Sequence, residues 1–331
     1  MDTTIVLGAG LDPWKNLAIE EHLLRNLRAN ECILYLWQNQ NTVVIGKHQN
    51  AWRECQTKLL EEENGKLARR LSGGGAVFHD TGNLNFTFLV DRQFYNLEKQ
   101  LQVILSAVQN VGISAKFSGR NDLVVEDKKF SGNAFYLRSK KAFHHGTIMV
   151  DADLGKLSRY LQVSKEKIES KGIKSVQARV ANLTKYVPSL TIDTMKEALV
   201  DSFSQIYEGN SQNLDVNSLD QEKIAQLEEK YTSWEWRYGE SPKFDITLDT
   251  RFPWGGVEIG LHLEHGKITQ ATIYSDAMDE EFIEDLPGVM EGVSFHSEKI
   301  ADKVRDYGQK NGSVRESMVN DLASWLSTKG F

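Results

Sequence analysis

Residues 69–88 read RRLSGGGAVFHDTGNLNFTF. Two arginines precede three glycines. After them, Val77-Phe78-His79 and the alternation of Leu84, Phe86, Phe88 and Val90 with Asn85 and Thr87 predict two strands around the turn Asp80-Thr81-Gly82-Asn83. Glycine lets backbone approach a ligand closely and reach φ > 0, and consecutive amide N–H groups can cradle an anion. A flexible turn between strands is the competing reading of Gly73-Gly74-Gly75 alone; the planar, always-charged Arg70 beside it favours phosphate. The spacing fits neither GxxxxGK[ST] nor GxGxxG, which argues against a P-loop or a dinucleotide fold.

Upstream, Asp12 is a good N-cap and Pro13 a good first helical residue, followed by Trp14, Leu17, Ala18, Leu24 and Leu27 at helical spacing. Residues 32–37 and 42–46 are apolar runs flanking Asn39-Gln40-Asn41 and predict a strand pair. A second helix is expected from Ala51 to the stop at Asn64-Gly65. Downstream, an amphipathic helix over 97–111 ends at Gly112, and three further strands are expected before residue 150. Helices are then predicted near 154–161, 165–171, 191–207 and 220–231, with a polar loop over 209–218. After Ser241-Pro242 the texture returns to strands, at 244–248, 257–263 and 268–274 with a turn at His265-Gly266, and two helical patterns close the chain. The expected organisation is a mixed α/β domain over 1–241 and a small α+β domain over 242–331.

Composition narrows the function. A chain of 331 residues exceeds the usual single core of roughly 100–200 residues, so two domains are expected. The formal charge is -7 and the longest basic clusters are pairs, such as Arg69-Arg70 and Lys140-Lys141, which argues against nucleic acid as a partner. Two cysteines, Cys32 and Cys55, cannot build a disulfide framework, and no Cys/His spacing suits a metal, so a reducing cytoplasm is expected. Residues 1–10 lack a signal-peptide pattern, and no apolar run approaches the ~18 residues of a membrane span.

A second segment reads Gly119-Arg120-Asn121-Asp122-Leu123-Val124-Val125, then Asp127-Lys128-Lys129-Phe130-Ser131-Gly132-Asn133-Ala134. Strand, tight turn and strand would put Lys129 and Ser131 on one face, with Asn121 and Asp122 opening the preceding strand. Alone this is weak, because a hairpin lysine is usually solvated. In order, RRLSGGGAVFHDTGNLNFTF, GRNDLVV, KKFSGNA, Phe143-His144-His145-Gly146-Thr147, Ser233-Trp234-Glu235-Trp236 and Arg251-Phe252-Pro253-Trp254-Gly255-Gly256-Val257-Glu258 resemble the lipoate-protein ligase family over nearly the whole chain.

That resemblance implies a biotin-ligase-like mixed α/β fold and a two-step reaction. The carboxylate of lipoate attacks the α-phosphorus of ATP, and a lysine of an acceptor protein then attacks the lipoyl-adenylate. The resemblance assigns Arg70, Gly75, Ala76, Val77, Phe78, Asn121 and Asp122 to the nucleotide side and Ser72, Gly74, His79, Asn83 and Ser131 to the lipoate side. Lys129 is assigned to both and to catalysis. The implied metal is Mg2+, with Asp122 its candidate ligand. The implied partners are the lipoyl domains of E2 subunits or the glycine cleavage H protein, and a monomer is expected.

Several residues carry competing readings. Trp37, Phe78, Phe86 and Phe88 are candidates for an apolar slot, although strand aromatics are mostly core. His79, His144 and His145 invite a general-base role, but satisfying buried polar groups is the favoured reading. Glu61-Glu62-Glu63 reads as a solvated helix face. An acyltransferase of the same fold would need an activated thiolate in the pocket, yet Cys32 lies in an apolar strand and Cys55 in the second predicted helix. A non-catalytic binding protein could dispense with Arg70 and Lys129; both are present.

Overall fold

Strand β1 (Asp2–Leu7) runs parallel to β2 (Glu31–Trp37), and helix α1 (Pro13–Asn26) joins them. The helix starts where the sequence predicts: Asp12 accepts hydrogen bonds from the amides of Trp14 and Lys15, and Pro13 follows it. In this computed structural model the described residues are 1–331 except 119–121, 162–179, 209–210, 239–244, 265, 312–314 and 330–331. They form two compact units. One comprises Met1–Ile45, Ala51–Arg70 and Ala76–Arg237; the other comprises Gly46–Asn50, Leu71–Gly75 and Tyr238–Phe331.

In the first unit, β3 (Thr42–Ile45) is followed by α2 (Ala51–Glu54), α3 (Thr57–Glu62), β4 (Lys66–Arg69), β5 (Val77–His79) and β6 (Asn83–Asp91). The predicted single helix after Ala51 is thus two short helices, interrupted where Cys55 forms a bridge with Leu161. The predicted pairing of residues 32–37 with 42–46 is not formed, because β2 belongs to an eight-stranded sheet and β3 to a three-stranded one. The turn at 80–82 likewise moves the chain from β5 in the small sheet to β6 in the large one. Alternation predicts strands; it does not say which sheet each joins.

Helix α4 (Leu97–Asn110) carries the predicted apolar stripe and ends before Gly112, whose φ is +89°. Four strands follow it, one more than predicted: β7 (Lys116–Ser118), β8 (Asp122–Val125), β9 (Lys128–Leu137) and β10 (Lys141–Met149). Helices α5 (Leu154–Tyr160) and α6 (Ile192–Tyr207) agree with the sequence reading; the helix expected at 165–171 lies outside the described residues. Within the expected loop after α6, β11 (Gln212–Leu214) pairs in parallel with β1. Helices α7 (Gln221–Thr232) and α8 (Trp234–Arg237) complete the unit.

The eight strands run in the order β11-β1-β2-β6-β10-β9-β8-β7, and the small sheet is β4-β3-β5. Both parallel and antiparallel pairs occur in each sheet, so the mixed α/β class expected from the sequence is the class observed. The large sheet has two unlike faces. On one, Leu34, Leu36, Leu84, Phe86, Phe88, Val90 and Ile148 pack against Leu101, Ile104 and Val108 of α4 and Met195, Leu199 and Phe203 of α6. The other face lies under α1 and is polar.

In the second unit, β12 (Ile246–Phe252), β13 (Gly255–Glu264) and β14 (Lys267–Ser275) form an antiparallel meander. Ser241, Pro242, Phe244 and His265, which carried the predicted boundary, strand start and turn, lie outside the described residues. Three helices follow, where two were predicted: α9 (Glu280–Met290), α10 (Ser297–Asn311) and α11 (Glu316–Ser327). Val257, Ile259, Leu261, Phe282, Leu286, Val304 and Leu322 are core residues of this unit. Among the described residues no helix is long and apolar enough to cross a membrane.

Candidate active site

On the polar face of the large sheet, Trp37 Nε1 donates to Thr87 Oγ1 (3.0 Å), and Thr87 Oγ1 donates to Glu20 Oε1 (2.7 Å). His145 Nδ1 lies 2.8 Å from the same carboxylate oxygen. All four side chains are buried, a placement that polar groups tolerate only when hydrogen-bonded. Asn83 Nδ2 donates to Asn85 Oδ1 (3.0 Å) beside them. Glu20 Oε2 and Asn85 Nδ2 have no partner among the described residues. Buried polar atoms without a partner are costly.

The small sheet ends in the two arginines, and it gives them different tasks. Arg69 Nε donates to the carbonyl of Trp236 (2.8 Å) and Nη2 to that of Arg237 (2.8 Å), while Trp236 Nε1 donates back to the Arg69 carbonyl (2.9 Å). Arg69 is therefore a clamp on α8. Arg70 is held at its backbone by the Ile45 carbonyl (3.0 Å), and its Nη1 donates to Val44 O at 3.2 Å. Burial pushes the guanidinium down to about 10, partly offset by Glu20, so it stays charged at neutral pH. It is a fixed cation in a poorly hydrated setting.

The glycine segment divides between the units. Arg70 and Ala76 belong to the first, and Leu71–Gly75 to the second. Within the second unit, Gly74 N donates to the Ala277 carbonyl (3.2 Å), and Lys47 N donates to that of Ser72 (2.9 Å). A Cβ on Gly73 would lie 2.4 Å from the Ala277 carbonyl oxygen, and Gly74 has φ +88°. Packing and backbone conformation thus require two of the three glycines, as the turn reading supposed. Gly75 differs, since a Cβ there would meet nothing within 4 Å.

The predicted sharing of a face by Lys129 and Ser131 fails. Ser131 pairs with Leu123 and Lys129 with Val124, neighbours on β8 that face opposite sides, because a register shift leaves Phe130 as an extra residue on β9. Ser131 is buried on the side of Leu84 and Ile148, and its Oγ has no partner among the described residues. Lys129 is half-buried, and its carbonyl accepts from Ala181 N (3.1 Å). Asn121 lies outside the described residues, as does the side chain of Asp122, whose backbone opens β8. Among the four candidate aromatics, Phe86 and Phe88 belong to the apolar core. Phe78 is buried against Tyr160 at 5.4 Å, and Trp37 alone of the four lies on the polar face.

Two of the histidines are held neutral, and both cysteines are unreactive. His144 and His79 are each pushed down to about 3, first by burial and then by neighbouring charge, so both are neutral in the folded protein. His144 Nε2 bonds Asn133 Oδ1 at 2.8 Å. Both cysteine thiols are buried and pushed up to about 12 by that burial, which leaves no nucleophilic thiolate.

Against this geometry, residues 12–204 match the family described as Lipoyl protein ligase A/B catalytic domain, and residues 241–326 match Bacterial lipoate protein ligase C-terminus. The chain belongs to the lipoate-protein ligase family. Its structure is similar to that of P. falciparum LipL1 in complex with lipoate, at 30% identity and a TM-score of 0.86, covering 99% of this chain and 100% of that one. It is also similar to the bi-partite lipoate protein ligase from Thermoplasma acidophilum, solved in a study of that ligase and its E2 lipoyl domain: 27% identity, TM-score 0.67, 74% of this chain and 100% of that one. A lipoate-protein ligase A bound with ATP matches at 25% identity and a TM-score of 0.65, over 72% of this chain and 99% of that one.

The protein is thus an enzyme of the lipoate-protein ligase family. The sequence singled out Arg70, the glycines and Lys129, and gave no signal for the buried hydrogen bonds of Glu20. The alternation of Asn83, Asn85 and Thr87 on β6 was the available signal for a polar face. Among the described residues no cluster of three His, Cys, Asp or Glu is placed to hold a metal ion.

Proposed function

We propose that this ligase activates lipoate with ATP, releasing pyrophosphate, and then transfers the lipoyl group to a lysine of an acceptor protein. The observation that carries the proposal is Arg70, a buried side chain that keeps its charge at neutral pH. Bringing a carboxylate onto a triphosphate crowds anions together, and the charge that develops at the α-phosphate needs fixed donors out of water. Arg70 and the backbone of Gly75, Ala76, Val77 and Phe78 would hold the nucleotide, with Asn121 and Asp122. Lys129 would touch both lipoate and the adenylate as the catalytic residue. Ser72, Gly74, His79 and Asn83 would line the lipoate side; Ser131, facing away from Lys129, is left out. Magnesium, held by the phosphates and Asp122, would neutralise phosphate charge. The relatives solved with lipoate and with ATP support both substrates.

The catalytic domain would span 1–241 and an accessory domain 242–331. The acceptor would be an E2 lipoyl domain or a glycine cleavage H protein, and the T. acidophilum study that includes an E2 lipoyl domain favours the former. A thioester route through an acyl-enzyme is disfavoured by two buried cysteines with raised thiols. The test is to incubate the enzyme with ATP, magnesium, lipoate and each apo-acceptor. One lipoyl group should appear on a single acceptor lysine by mass, and acceptors that stay unmodified in every combination would refute the transfer.

A further inference from the structure

The two segments at which the chain passes from one sheet to the other, at Asn39 and just after His79, are tied together by a line of three side chains in the first unit. Asn16 Nδ2 lies 2.7 Å from the carbonyl of Gln38 and 3.3 Å from that of Gly10. An amide end that faces two carbonyl oxygens must be its NH2 end, and Tyr35 OH, donating to Asn16 Oδ1 at 3.3 Å, marks the other end as oxygen. Asn16 Nδ2 also donates to Asn39 Oδ1 at 3.0 Å. That contact fixes the Asn39 amide in turn, so its NH2 group is the end that meets His79 Nδ1 at 3.1 Å. A nitrogen that receives an N–H must offer a lone pair, and the imidazole then carries its single proton on Nε2.

His79 Nε2 is buried and has no hydrogen-bond partner among the described residues. An N–H left bare inside a protein is costly and calls for an acceptor. Arg70 and His145 both oppose a second proton on this ring, and burial opposes it more, which holds the imidazole neutral. The permanent charge of Arg70 also favours an anionic oxygen as the atom that completes the site.

We propose that Asn39 is a positioning residue: it locks His79 in the Nε2–H form, so that His79 donates to a carboxylate oxygen of the acid substrate and cannot take a proton from the incoming lysine. The substrate part of this statement rests on the lipoate ligation reading above; the tautomer does not. Donation to a charged oxygen in a buried site gives His79 a fixed share in binding the acid, and the proton of the acceptor lysine must leave by another route.

The test is 15N NMR of the full-length protein labelled at histidine, with the His79 signals assigned by their loss in His79→Gln. In the wild type at pH 7 the proton should be on Nε2, with Nδ1 an unprotonated acceptor. In Asn39→Asp the carboxylate should draw the proton to Nδ1. Calorimetry without nucleotide should then show lipoate binding weakened about ten- to a hundred-fold, the worth of one hydrogen bond to a charged group. A wild-type His79 protonated on Nδ1 or on both nitrogens overturns the proposal, as does unchanged lipoate affinity in an Asn39→Asp protein whose tautomer has reversed. If the wild type shows the Nε2–H form and binds lipoate but never releases pyrophosphate, the ligation reading fails and this one stands.

Discussion

The two faces of the large sheet are built from alternate residues of the same strands, yet they behave as different materials. On β6, Leu84, Phe86, Phe88 and Val90 enter a dry core under α4 and α6, whereas Asn83, Asn85 and Thr87 enter a buried polar layer under α1. On β10, His144 and His145 are neighbours that divide between the two. The apolar face is mainly hydrocarbon, with Ser131 Oγ and His144 Nδ1 its unpartnered polar atoms among the described residues. The polar face ends in a carboxylate oxygen and an amide nitrogen with no partner among the described residues, and it lies in the unit that holds Arg70 and His79. One face is held chiefly by packing and the other chiefly by hydrogen bonds.

The contrast can be broken first where it should be strongest. Phe88 is fully buried between Phe86 and Phe203, and Phe88→Ala should cost about 3–5 kcal/mol in denaturant unfolding through the cavity it leaves. A loss below about 1 kcal/mol would mean that this face is not close-packed. On the polar face, Thr87→Val conserves shape but deprives Trp37 Nε1 of its acceptor and Glu20 Oε1 of a donor. Two undersatisfied buried groups predict a loss of about 2–4 kcal/mol. An equally stable variant would show that the hydrogen bonds there are incidental.

The smallest effect is a slope with pH. His79 and His144 have folded-state values pushed far below the ordinary 6.5. Between about pH 6.5 and 3 the unfolded chain therefore binds more protons than the folded one, and stability rises with pH through that window and is lost as pH falls. Each histidine should remove about 1.4 kcal/mol per pH unit below about 6. Urea midpoints that do not move between pH 6.5 and 5 would mean that both rings are protonated in the fold.

Much of this division was legible in the sequence, and the limits have physical causes. Strong periodicity located α1, α4, α6 and α7, and Asp12 gave the start of α1, because caps and stripes are local. The alternation on β6 also announced an apolar and a polar side. Sheet membership was not legible: nothing local tells Thr42–Ile45 to leave the strand before it, or the chain after His79 to change sheets. The bulge at Phe130 was equally silent, and it sends Lys129 and Ser131 to opposite faces. Glu20 lay hidden in a helix where a charged residue reads as solvent-facing; only Thr87 and His145, far along the chain, reveal its place. The arginine pair read as one signal, but Trp236 takes Arg69 for structure and leaves Arg70 to the site.

Activation of the acid by ATP is the step on which the proposed reaction depends. Purified enzyme given ATP, magnesium and lipoate with no acceptor should release pyrophosphate and retain lipoyl-AMP, and Lys129→Ala should lose that release while melting at the same temperature as the wild type. Lipoylation that proceeds from an acyl-carrier donor with no need for ATP would contradict it.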